Sequence, residues 1–203
     1  MTKIATIYKD KNYIGFDKPT NMPTTYGKEK SCFVEEVKKS HPELFTFTGF
    51  KKEEGGLLYR LDNETSGLLL FAKNKQAFDD FTLDPNLKKI YIAEISNPNS
   101  LRKKDTISYP IAHKSSKKMV AILPGKKINY KGSSIETETE YENLGKNHIK
   151  CSIKKGTRHQ IRVHLAAIGH PIVGDTLYGG EPAKELHLRC VGIESGKLSI
   201  LIS

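Results

Sequence analysis

Asp62 is the residue of this chain best placed to react. It stands two positions after Arg60 and opens the polar turn Asn63-Glu64-Thr65-Ser66-Gly67, so the stretch carries a carboxylate and a guanidinium into a bend between apolar segments. A carboxylate where a buried strand meets a polar turn is partly desolvated. Arg60, on the same side of an extended chain, is spaced to hold it ionised. An ionised, positioned carboxylate is a nucleophile or a base. The same spacing also builds an ordinary structural ion pair, and the local residues alone leave both readings open.

Other arrangements exclude chemistry. His159, His164, His170 and His187 lack the helical i, i+4 pairing and the neighbouring cysteines of a zinc site, so no metal centre is expected and capping or packing roles fit them better. Gly169 and Gly174 lie near Asp175, but no glycine-rich phosphate loop follows a strand, which argues against nucleoside triphosphate chemistry. Cys32, Cys151 and Cys190 are odd in number and widely spaced, as suits reduced, packed thiols.

The elements that must position Asp62 are short. Leu57-Leu58-Tyr59 and Leu68 to Ala72 read as buried strands on either side of the turn, and Ile4 to Tyr8 with Tyr13 to Phe16 read as a hairpin. Ser31 is expected to cap a helix carrying Phe33, Val34 and Val37, and Asn74 one carrying Ala77, Phe78 and Phe81. Ile90 to Ile95 reads as a strand that puts Tyr91, Ala93 and Ile95 on one face. Further strands are expected at Ile107 to Ile111, Met119 to Leu123, Glu136 to Tyr141 and Ile149 to Ile153. A last strand-like stretch spans Lys197 to Ile202. Arg158 to Ile168 reads as a helix with an Ile161, Leu165, Ile168 stripe, stopped by Gly169. Many strands with few short helices predict an α+β fold built on a mixed, largely antiparallel sheet flanked by helices and loops.

Three separated blocks resemble the RluA-type pseudouridine synthases, enzymes that isomerise uridine to pseudouridine within RNA. "YRLDNETSGLLLFAK" from Tyr59 is similar to that family's Arg-Leu-Asp motif, "KKIYIAE" from Lys88 to its Lys-x-Tyr-x-Ala block, and "RHQIRVHLAAIGHPIVGDTLYGG" from Arg158 to its third block. The opening "IATIYKDKNYIGFDKPTNMP" is like the family's strand-turn-strand ending in Lys-Pro. Gly156-Thr157-Arg158 departs from the usual glycine-arginine order before His-Gln, so no family role passes to Arg158. The resemblance implies the pseudouridine synthase fold over residues 1–203 as a single catalytic domain without an S4-type domain. It implies Asp62 as the essential catalytic residue, Tyr91 against the target base and Arg162 paired with the aspartate. The residues allow those roles: Arg162 lies on the helix face away from the apolar stripe, and Tyr91 offers a flat ring and a hydroxyl.

The reaction breaks a glycosidic C–N bond, turns the base and forms a C–C bond at C5, so it needs no redox chemistry and no cofactor is expected. Lys+Arg of 33 against Asp+Glu of 23 gives a net charge of +10, a field that draws polyanions. RNA, either tRNA or rRNA, is the expected partner, with Arg60, Arg158, Lys154 and Lys155 as candidate contacts beside the site. No apolar run approaches a membrane span, and a cytoplasmic monomer is expected. Two other classes share some of these features. A non-catalytic RNA-binding protein on the same fold would need the charge but not Asp62, Tyr91 and Arg162 together. A glycosidase would need a second acid beside Asp62.

Overall fold

Alternating apolar residues make strands, and apolar residues three and four apart make short amphipathic helices. The computed structural model describes residues 4–27, 31–154, 156–196 and 198–202. β1 (Thr6–Lys9) and β2 (Tyr13–Lys18) precede α1 (Phe33–Ser40), β3 (Ser66–Ala72) and α2 (Lys75–Thr82). Then come β4 (Lys88–Glu94), β5 (Lys104–Ile107), β6 (Ile111–His113), β7 (Met119–Ala121) and β8 (Lys131–Ile135). β9 (Thr139–Gly145), β10 (His148–Ile153), α3 (Gln160–Ala167), β11 (Leu188–Glu194) and β12 (Ser199–Leu201) follow. The fold is α+β with mostly antiparallel pairing, as expected. Among the described residues, no helix is long and apolar enough to cross a membrane.

The chain divides into two compact units, Met1–Leu87 with Arg189–Ser203, and Lys88–Leu188. In the first, β2 lies antiparallel between β1 and β3. β11 runs parallel to the start of β3, with Arg189 opposite Ser66 and Cys190 opposite Gly67. Leu68, Leu69, Leu70 and Phe71 are fully buried, and Phe16 meets Phe71 edge to face at 5.7 Å between ring centres. In the second unit, β10 pairs antiparallel with β4 and β9, and β9 with β5. A small sheet places β6 between β7 and β8. α3 brings Val163 into a core with Ile111, Met119 and Ala121.

Several boundaries differ from the sequence expectation, each for a local reason. Leu57 to Tyr59 forms only one bridge, from Leu57 to Phe71. Leu58 N also donates to Leu70 O at 3.1 Å, so the segment runs along the edge of β3 without completing a strand. Ser31 does not cap α1. Cys32 holds the cap position without a side-chain bond, and the first helical amides of Phe33 and Val34 donate instead to the Pro23 and Thr24 carbonyls. The Asn74 cap is present, with its side chain accepting from Ala77 N at 2.9 Å. Ile107 to Ile111 breaks at Ser108-Tyr109-Pro110 into β5 and β6, because proline carries no donor for a ladder. Strand β9 starts at Thr139 rather than Glu136, yet Thr137, Thr139 and Tyr141 are buried as the alternation required. β8, exposed along its whole length, had no apolar alternation to reveal it.

Candidate active site

In the first unit, every carbonyl from Leu61 to Glu64 is tied down, so the turn that carries Asp62 is braced from both sides of the aspartate. Thr24 Oγ1 donates to Leu61 O at 2.7 Å and accepts from Leu61 N at 3.2 Å. Asp62 O accepts from Thr65 N at 3.1 Å. Asn63 O accepts from Met22 N at 3.2 Å and from the Lys18 ammonium at 3.1 Å. Thr20 Oγ1 donates to Glu64 O at 2.8 Å. Upstream, the Tyr59 hydroxyl donates to Leu68 O at 2.8 Å, which fastens the approach to the turn onto β3. The glycine of the motif is required, since Gly67 has φ +107 and an added Cβ would stand 2.1 Å from Cys190 O.

Lys18 is the residue that sequence reasoning missed here. It is fully buried, and its ammonium donates to Pro19 O and Met22 O, both at 2.8 Å, as well as to Asn63 O. Burial pushes its pKa down to about 8, opposed by the nearby carboxylates of Asp62 and Glu64. A signal was present in the sequence, because Lys18 continues the inward phase of Ile14 and Phe16 along β2. Arg60 behaves differently from expectation. It is exposed and, among the described residues, makes no ion pair with the half-buried Asp62. Within the unit, Asp62 lies close enough to the Lys18 ammonium for its carboxylate to favour the charged lysine. Leu61 is drawn inward and held by Thr24, which leaves Arg60 turned to solvent.

In the second unit, Tyr91 lies on β4 opposite Cys151 of β10. It is 5% exposed and shares its buried face with Lys89 and Ala93. Arg162 is buried, as is every residue of α3 from Gln160 to Leu165. Its Nε and Nη2 donate to the two carboxylate oxygens of buried Asp175, at 2.7 and 2.8 Å. The Tyr178 ring centre lies 5.4 Å from its Cζ. Asp175 and Tyr178 were not foreseen as partners of the arginine. Their signal was an aspartate and an aromatic three residues apart between glycines.

The remaining candidates are at the surface. Arg158 and Lys154 are exposed, and Arg158 Nη1 donates to Ser116 O at 2.9 Å, on the turn between β6 and β7. Lys155 falls outside the described residues. The structure therefore places Asp62 and Arg60 in the first unit, and Tyr91, Lys154, Arg158 and Arg162 in the second. The segment from Thr106 to Ile135 holds Lys114, Lys117, Lys118, Lys126, Lys127 and Lys131 and no acidic residue, so the small three-stranded sheet and its loops form a uniformly basic surface.

His164 is the buried histidine that α3 contributes to the second unit. Its Nδ1 lies 2.8 Å from Thr139 Oγ1 and its Nε2 2.8 Å from Tyr109 O, while burial lowers its pKa and keeps it neutral. A neutral ring satisfies both partners by accepting at Nδ1 and donating from Nε2. Among the described residues, no cluster of histidine, cysteine, aspartate and glutamate is grouped to hold a metal ion.

Residues 12–167 match the model of a family described as RNA pseudouridylate synthase. The chain is 33% identical over 204 residues to an uncharacterized RNA pseudouridine synthase of Helicobacter pylori strain J99, covering 92% of this chain and 68% of that protein. It is 28% identical over 183 residues to ribosomal large subunit pseudouridine synthase D of Haemophilus influenzae, covering 87% of this chain and about half, 53%, of that protein. Among solved structures, human RNA pseudouridylate synthase domain containing 1 is similar in fold, with a TM-score of 0.74 at 20% identity over 98% of this chain and 82% of that one.

Proposed function

We propose that this chain, which belongs to the RNA pseudouridylate synthase family, isomerises one uridine to pseudouridine within a folded tRNA or rRNA. The observation that carries the reading is the family match across residues 12–167, which includes the Arg-Leu-Asp motif and the braced turn that presents Asp62. Asp62 acts as the nucleophile or base that handles the electron-poor centre left as the C1′–N1 bond breaks. Tyr91 lies against the base and serves the proton that leaves C5 once the C1′–C5 bond has formed. Arg162 orients the aspartate, the role that the family resemblance implies for it. The proton lost from C5 balances the one gained at N1, so the reaction consumes no cofactor.

Arg60, Arg158, Lys154 and Lys155 contact the RNA backbone, which a basic surface recognises without reading sequence. The two units work as one catalytic domain of a cytoplasmic monomer. Asp62→Asn tests the assignment, because it keeps the size of the side chain and removes its basicity. The variant is expected to fold, to bind RNA with parental affinity and to form no detectable pseudouridine when the target RNA is mapped. Pseudouridine formed at a substantial fraction of the parental rate would make Asp62 a structural residue and overturn the site.

A further inference from the structure

Arg162 is held by a turn whose parts cannot shift independently. Asp175 and Tyr178 stand at the two ends of one short helical turn, with Tyr178 N donating to Asp175 O at 3.1 Å and Gly180 N to the same oxygen at 2.9 Å. The glycines that flank the turn fit against backbone. An added Cβ would lie 1.9 Å from Glu185 O at Gly174 and 1.8 Å from Ile172 O at Gly180. The carboxylate fork of Asp175 fixes the plane of the guanidinium, and the Tyr178 ring backs it at 5.4 Å.

The Tyr178 hydroxyl is itself fixed at two points. It accepts from Met119 N at 2.9 Å and lies 2.8 Å from His159 Nδ1. Met119 N engages one lone pair of that oxygen, and the hydroxyl and His159 Nδ1 share a second hydrogen bond. Met119 opens β7 directly after the Lys114 to Lys118 turn, and Lys118 Nζ sits 5.3 Å from the Tyr178 ring centre. His159 immediately precedes α3, the helix that bears Arg162. One side chain therefore touches the basic hairpin, the start of the helix and the guanidinium.

We propose that Tyr178 is a positioning residue for Arg162, holding the guanidinium in register with the basic β6–β7 hairpin. The proposal rests on the reading of Arg162 as part of a pseudouridine synthase site, and its test separates the two. Tyr178→Phe keeps the ring and deletes the hydroxyl. In a 1H–15N spectrum, the Arg162 Nε–H signal, assigned by its loss in Arg162→Lys, is expected to shift in Tyr178→Phe and to exchange with water about tenfold faster. At saturating RNA the single-turnover rate is expected to fall about tenfold while the RNA Kd stays within about twofold.

Placed in an Arg162→Lys background, Tyr178→Phe should change the rate by less than about twofold, because the route through Arg162 is already broken. An unmoved Arg162 signal, or a full rate loss that persists in that background, overturns the proposal. His159→Phe, which removes one partner of the Tyr178 hydroxyl and keeps a ring, replaces Tyr178→Phe in the same measurements if thermal unfolding shows that the Tyr178 variant does not fold. If the parent protein makes no pseudouridine, the proposed function fails, while the Arg162 signal still decides the positioning.

Discussion

A single lysine sets the state of the turn on which Asp62 sits. The Lys18 ammonium has three N–H donors and three backbone carbonyls to receive them, so loss of its proton leaves one of those carbonyls without its donor. Its folded pKa of about 8 is below the ordinary 10.5. Between these values the unfolded chain binds more protons than the folded one, so stability attributable to this group rises with pH through that window. The difference corresponds to roughly 3 kcal/mol at the upper end. Chemical denaturation of parent and Lys18→Met at intervals from pH 7 to 9.5 should show the rise in the parent alone. Parallel curves would place the Lys18 charge elsewhere. Deprotonation also removes one of the three hydrogen bonds that Lys18 donates, so the single-turnover rate of the parent should change as pH passes about 8.

At the scale of elements, the junction of β3 with β11 decides how well that turn is supported. Gly67→Ala meets two obstacles together, a φ of +107 and a Cβ 2.1 Å from Cys190 O. It should destabilise the protein by more than about 2 kcal/mol, whereas Gly125→Ala, whose added carbon meets open space, should cost about 1 kcal/mol. Equal unfolding midpoints for the two variants would show that β11 yields easily. The sequence made some of these elements legible and hid others. The Asn74 cap, the Gly169 stop and the strand after the Asp62 turn rest on local chemistry that neighbouring residues supply. Ser31 misled because distant carbonyls at Pro23 and Thr24 took over the work of a cap. Asp62 and Tyr91 could be picked out from motif and alternation. Lys18, Asp175 and Tyr178 act through partners far along the chain or through burial, which spacing alone does not reveal.

Across the whole molecule, a net charge of +10 is unevenly spread, with the acid-free segment from Thr106 to Ile135 carrying six lysines. RNA affinity should fall steeply with salt, because each phosphate neutralised releases counterions. Replacing exposed Lys117, Lys126 and Lys127 by glutamine should reduce the slope of log K against log salt by about 2 to 3 for duplex RNA. An unchanged slope would locate the RNA on another face. One feature of the first unit also bears on how the protein comes into being. Its β3 finds its parallel neighbour only at Arg189 and Cys190, and Arg189 also forms a fork with Asp17 at 2.9 and 3.0 Å. During synthesis the Asp62 turn therefore waits, unsupported along that edge, until more than a hundred further residues have left the ribosome. A nascent chain halted before Arg189 carries all three motif blocks and still lacks the parallel neighbour of the strand that follows its aspartate.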